Sequence, residues 1–217
     1  MRKRLLAILL ASVFLFSSCI SAAPDAPHIP TVPTRGYWDG RTFVSAYFGL
    51  RFDLPQGWVV ASEDEIFEVM WWLDDAVRVE PGAHIPQEVF DALGEVSLPD
   101  MWAHESTFDA FDMFGGNAVM TMIGQLSQLF DNVPLSELDM LWEMAEQTQG
   151  NQWMEFVVGA GTIHIGAYNW YFADEHYISD WDVNQRILIR FDDGFVKLIW
   201  IFYDDSDTLQ YILANFR

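Results

Sequence analysis

The sequence predicts an α+β domain, an antiparallel sheet of about six or seven strands with helices packed on it. Three observations predict it. Runs rich in β-branched and aromatic residues at 153–159, 162–172, 184–191 and 195–203 read as strands. Asp193-Gly194, a pair that accepts positive φ at both positions, joins the last two as a tight hairpin. Helical spacing is confined to a few stretches between the strand runs, so the order is hairpin, helix, hairpin, helix, meander, helix.

The chain opens with an export segment. Arg2, Lys3 and Arg4 precede an apolar run from Leu5 to Phe16, the layout of a secretory signal. As a helix that run reaches ~18 Å, short of a ~30 Å hydrocarbon core, so it is no permanent span. Two processing sites compete. Ser21-Ala22-Ala23 supplies small residues for ordinary cleavage before Pro24, whereas Phe16-Ser17-Ser18-Cys19 resembles the lipobox of bacterial lipoproteins. There the cysteine thiol is lipidated and becomes the new N-terminus. Cys19 is the only cysteine of the chain, and lipidation gives a thiol beside an export signal a purpose. The expected organisation is a signal over 1–18, a lipidated Cys19, and a single domain over 37–217. The protein is then anchored on the extracytoplasmic face of the cell membrane. A single cysteine forms no intramolecular disulfide, so the domain folds on its hydrophobic core.

Residues 19–36 read as a stalk. Pro24, Pro27, Pro30 and Pro33 recur every third residue, the period of polyproline II. At ~3.1 Å per residue such a segment holds the domain about 50 Å off the membrane. An unstructured leader would serve the same tethering role.

Within the domain, 42–58 reads as a hairpin turning at Phe48-Gly49. Phe43, Ser45, Tyr47, Leu50, Phe52 and Leu54 then share a face, and Arg51 and Asp53 point away. Pro55 and Gly57 stop it. Ser62 and Glu65 have capping-box spacing and open a helix with Ile66, Val69, Met70 and Leu73 inward. Residues 74–105 carry the weakest pattern, with a short helix over 86–93 stopped by Gly94. Strands follow at 107–114 and 117–124 around Gly115-Gly116. Pro134 opens a helix that turns Leu138, Leu141, Trp142 and Ala145 toward the core and ends at Gly150.

In the last hairpin Asp192 faces Phe195. One face collects Ile187, Ile189, Phe191, Val196, Leu198, Trp200 and Phe202, and the other collects Arg186, Arg190 and Lys197. A slip of one residue would mix charge into both faces, so the pattern specifies the register. A closing helix buries Leu209, Ile212, Leu213 and Phe216.

The run Tyr47-Phe48-Gly49-Leu50-Arg51-Phe52-Asp53-Leu54-Pro55-Gln56-Gly57-Trp58 resembles a motif of small secreted lipoproteins of Gram-positive bacteria, which also carry a lipobox and a low-complexity spacer. Their domains are similar to the α/β/α sandwich of PsbP, an extrinsic photosystem subunit, and of a nuclear-import factor that binds the GTPase Ran. The resemblance implies a PsbP-like sandwich over 42–217 and a non-enzymatic domain that binds or assists other proteins. It carries over no catalytic residues.

Charge narrows the partners. The chain holds 32 acidic residues and a formal charge of −21. Without Arg2, Lys3 and Arg4 the acids face eight basic residues, of which Lys197 is the only lysine. Such a surface repels nucleic acid and anionic lipid, so nucleic-acid binding is excluded. The acidity either serves solubility in a saline exterior or attracts cations and basic protein surfaces.

The chain lacks the residues of familiar chemistry. Gly115-Gly116 and Gly159-Ala160-Gly161 do not match a phosphate loop, and no serine sits in Gly-x-Ser-x-Gly. His28, His84, His104, His164 and His176 lack zinc-ligand spacing. No cofactor is expected. Asp204, Asp205 and Asp207 are the densest carboxylates. They lack the alternation and glycine of an EF-hand, and they precede a helix that they are placed to cap; a calcium site is the weaker reading. Two features point outward. Aromatic runs such as Trp71-Trp72 and Trp170-Tyr171-Phe172 exceed the needs of one core, so some rings offer an interface or a sugar platform, unless both sheet faces are buried. Arg186, Arg190 and Lys197 form a basic row that receives an anion or acidic peptide, unless it pairs with the protein's own acids. The expected function is a non-catalytic interaction or accessory module with an envelope protein partner. The alternative is a receptor for calcium or a glycan, and a hydrolase stands third.

Overall fold

The computed structural model describes residues 32–69, 78–94, 96–105, 116–129, 136–149, 154–177 and 183–217. The expected lipidation site Cys19 and the pair Trp71-Trp72 lie outside them. Two sheets form. The smaller orders β1 (Tyr37–Asp39), β2 (Thr42–Ser45) and β3 (Leu50–Asp53) as 1-2-3. The larger contains β4 (Trp58–Val60), β5 (Leu98–Glu105), β6 (Ala118–Gln125), β7 (Met154–Ile165), β8 (Tyr168–Tyr177), β9 (Val183–Asp192) and β10 (Phe195–Tyr203). Its order is 4-5-6-10-9-8-7 and every pairing is antiparallel. The helices are α1 (Glu63–Val69), α2 (Gln87–Leu93), α3 (Leu126–Leu129), α4 (Glu137–Thr148) and α5 (Ser206–Leu213). The α+β class and the antiparallel sheet of about six or seven strands expected from the sequence are both present, the sheet with seven.

Both faces of the large sheet are covered. One packs Leu98, Met101, Ala103, Val119, Ile123, Trp170, Leu188, Ile199 and Ile201 against the small sheet, α2 and α5. The other packs Trp102, Met120, Met122, Ile187, Ile189, Leu198 and Phe202 against Ile66 of α1, Leu126 of α3, and Met140 and Leu141 of α4. Neighbouring strand positions thus point into two separate cores, with Trp58 and Trp170 on one face and Trp102 and Trp200 on the other.

The β9–β10 register is the expected one, with Asp192 opposite Phe195 and positive φ at Asp193 and Gly194. The Ser62–Glu65 capping box also forms, with Ser62 N–H donating to Glu65 Oε2 at 2.6 Å and Glu65 N–H to Ser62 Oγ at 3.2 Å. α2 lies between a Pro86 N-cap and a Gly94 C-cap.

Elsewhere the structure corrects the sequence. The first hairpin does not turn at Phe48-Gly49. Ser45 pairs with Leu50, and the four residues between them form a loop that buries Tyr47 and Phe48. β5 has no alternation because seven of its eight residues are buried, on both faces. A register shift between Pro99 and Met101 admits a proline that cannot donate to the ladder. The strand expected at 107–114 lies outside the described residues, and both edges of β6 are taken by β5 and β10. The glycines at 159 and 161 are not a turn but a bulge within β7, between Val158 and Thr162. The turn is at Gly166, whose φ is +59° and whose absent Cβ would meet Gly49 O at 2.2 Å. α4 starts at a Ser136 cap, Ser136 Oγ accepting from Asp139 N–H, and it turns Trp142 outward, since Met140 and Leu141 define its buried stripe.

The packed domain also begins earlier than Tyr37. Thr34 bridges to His84, Arg35 N–H donates to Ala83 O at 2.9 Å, and Ile85 N–H to Pro33 O at 2.9 Å. Residues expected in the stalk therefore belong to the fold. At the far end Arg51 and Arg217 exchange backbone hydrogen bonds, each 2.8 Å, which ties the C-terminus to β3.

Candidate functional site

The turn at Asp193-Gly194 brings Lys197 and Arg190 directly opposite each other on the sheet face that the small sheet covers. Lys197 is therefore fully buried. Its Nζ donates to Asp192 Oδ2 at 2.7 Å and to Tyr47 O at 2.6 Å, and lies 3.5 Å from the Tyr168 hydroxyl. It also sits 4.0 Å from the Tyr47 ring centroid. Burial pushes the Lys197 pKa down, and Asp192 opposes that shift. Burial and the Asp192 charge push Tyr168 up to about 12 and Tyr47 upward as well.

Arg190 lies 3.9 Å over the Tyr168 ring, and its Nη1 donates to Asn169 O at 3.4 Å. Arg186 makes a bidentate pair with Asp174, both contacts 2.7 Å, and stacks 4.5 Å over Phe172. The basic row expected to receive an anion is thus engaged internally. Lys197 fastens the 46–49 loop to the sheet, and Arg186 bridges β8 and β9.

The other sequence candidates are also placed. Trp170 is not exposed: it is fully buried, donates Nε1–H to Ile165 O at 3.2 Å and stacks on Phe48 at 6.1 Å. Tyr171 is half-buried on the opposite face. Asp205 caps α5 through Oδ1, which accepts Thr208 N–H at 2.8 Å, and that bond holds its carboxyl below the usual range. Asp204 Oδ2 accepts from Asn117 Nδ2 at 3.0 Å, and Asp207 is an exposed first-turn residue of α5. Among the described residues no three His, Cys, Asp or Glu side chains converge as metal ligands.

Two further features were not read from the sequence. The first is a hollow of about 280 Å³ at the β4–β5 edge. Arg35 is buried beside it. Its Nε donates to Asp100 Oδ1 at 3.1 Å, its Nη1 to Val79 O at 2.9 Å and to Glu63 Oε1 at 3.3 Å, and its Nη2 to Asp100 O at 3.4 Å. Gly36 N–H donates to Asp100 Oδ1 at 2.8 Å, and Asp100 Oδ2 has no hydrogen-bond partner among the described residues. Burial outweighs the arginine and pushes the Asp100 carboxyl up to about 6. Asp100 and Glu63 thus share a pocket, as an acid–base pair would, but the guanidinium between them makes both its counter-ions. Tyr37, Trp38, Phe43 and Trp102 line the same hollow. Its only sequence signal is an arginine directly after a proline-rich run and before Gly36-Tyr37-Trp38.

The second is the opposite edge. Among the described residues β7 is an edge strand, and a hollow of about 500 Å³ lies between it and α4, lined by Trp142, Glu146, Met154, Glu155 and Phe156 among others. Trp142 is 53 % exposed and Val157 is 52 % exposed, unusual for apolar side chains of that size.

No family model and no curated protein matches the chain. Among solved structures it is similar to cyanobacterial PsbP (CyanoP) from Synechocystis sp. PCC 6803, with a TM-score of 0.42 and 10 % identity over 92 % of this chain and 96 % of that one. The similarity is distant, and no residue role passes between the two chains.

Proposed function

We propose that this chain is a non-catalytic interaction module, tethered through a lipidated Cys19 to the extracytoplasmic face of a cell membrane, in the manner of the small Gram-positive lipoproteins that its motif resembles. Its α4–β7 flank receives an extended, basic segment of an envelope protein. The observation that carries this reading is the exposure of Trp142 on α4 beside an edge strand, whose own Val157 is exposed on the face away from Phe156 and Val158. An edge strand offers unpaired N–H and C=O groups, and strand addition uses them for affinity while neighbouring pockets read alternate side chains. Glu146 and Glu155 line the hollow, and the formal charge of −21 favours a cationic partner.

The test has two parts. Intact mass of the N-terminal peptide from membranes is expected to show a diacylated Cys19 as first residue, with Cys19→Ala released to the medium. A mature chain starting at Pro24 would refute the tether. A photo-crosslinking residue at position 142 or 157 is expected to trap one partner through an extended basic peptide, while the same residue at exposed Tyr211 on α5 traps none. Equal crosslinking from all three positions would refute the docking surface.

A further inference from the structure

We infer that the hollow at the β4–β5 edge binds an organic ammonium group. Four aromatic residues, Tyr37, Trp38, Phe43 and Trp102, line a space of about 280 Å³, at the small end of ligand pockets. Trp38 and Phe43 meet at 5.5 Å with their planes 55° apart; Phe43 and Trp102 are buried, and Tyr37 is exposed. Ring faces are electron-rich and attract cations, most strongly where water is excluded.

The charges at the hollow agree. Among the described residues three carboxylates, Asp100, Glu63 and Asp64, face two guanidinium groups, since Arg78 Nη1 lies 3.9 Å from Glu63 Oε2 and 3.1 Å from Asp64 Oδ1, and Arg35 has each of its nitrogens directed at Asp100, Glu63 or Val79. Asp100 is buried, and its Oδ2 has no partner among the described residues. A ligand that brings positive charge supplies what that carboxylate lacks, and its desolvation cost is then offset. Asp100 is held partly protonated near neutral pH by the same missing compensation.

The alternatives fit less well. A hard metal ion needs several oxygen ligands, and no such cluster is gathered among the described residues. An anion would face two carboxylates. Tyr37, 47 % exposed, stands at the mouth, so a small alkylammonium head has an entry. The hollow lies at the opposite sheet edge from the α4–β7 flank, so the two sites fail or succeed independently.

The experiment is saturation-transfer NMR on the methyl protons of tetramethylammonium with the full chain, alongside tert-butanol as an uncharged analogue of similar shape. We expect saturable transfer with a millimolar Kd for tetramethylammonium, weakened at least about tenfold in Trp38→Leu and in Glu63→Gln. Tyr37→Leu, a substitution at an exposed position that leaves the fold intact, is expected to weaken it severalfold. Equal transfer to tert-butanol, or undiminished binding in all three variants, would overturn the proposal. So would the absence of saturable transfer to tetramethylammonium in the unmodified chain.

Discussion

Replacing Lys197 by methionine tests whether the one buried ammonium holds the loop at 46–49 in place. The stem volume is kept, so the change isolates the charge. It strands Tyr47 O, an acceptor on a fully buried residue, at a cost of ~1–3 kcal/mol. It removes cation–π contacts to Tyr47 and Tyr168, worth ~0.5–2 kcal/mol together. Asp192 loses its partner, but its side chain is 24 % exposed and regains water, so that loss adds under ~1 kcal/mol. Against these, the ammonium no longer has to be desolvated, a relief visible in its lowered pKa. The expected net loss is ~2–4 kcal/mol, a large share of the ~5–15 kcal/mol that holds a typical domain. Urea unfolding followed by tryptophan fluorescence would show it as a lower midpoint with unchanged slope. In a double-mutant cycle with Asp192→Asn the coupling is expected at ~0.5–1 kcal/mol. A Lys197→Met protein within ~0.5 kcal/mol of the parent, with coupling near zero, would show that the buried pair merely tolerates its position.

Three further outcomes are expected. Asp100 has a folded pKa of about 6, above its unfolded value, so its contribution to stability is complete below about pH 4 and is lost as pH rises through about 6. The difference in unfolding free energy between the parent and Asp100→Asn should therefore change by ~2–3 kcal/mol between pH 4 and 7; a flat difference would contradict the buried assignment. Tyr47, Tyr168 and Tyr177 all have raised pKa values, so their stabilisation persists below about pH 10 and is lost above it. Ultraviolet titration should show these rings ionising only with alkaline unfolding, and reversible ionisation of every tyrosine near pH 10 would refute their burial. Gly166→Ala, at φ +59° with Gly49 O in the way, should cost at least ~2 kcal/mol, whereas Gly40→Ala, with open space around it, should cost ~1 kcal/mol. Equal thermal shifts for the two would argue against the close approach.

By itself the sequence determined whatever depends on neighbours along the chain. The Asp193-Gly194 turn and the alternation beside it specify one register, because a slip of one residue turns every side chain over. The Ser62–Glu65 box, the Gly94 stop and the Asp205 cap were legible because a cap is satisfied within four residues. Tertiary structure decided what depends on the second layer. β5 could not be read, since burial on both faces erases alternation and Asp100 looks like a surface residue until Arg35, 65 positions earlier, supplies its counter-ion. The glycines at 159 and 161 resemble a turn, yet only the close approach of the 46–49 loop requires the turn at Gly166 instead. Trp170 and Lys197 looked available for a ligand, but a small sheet folded from the first third of the domain buries both. Local pattern fixes which residues share a face; which faces meet water is settled only when distant segments pack on them.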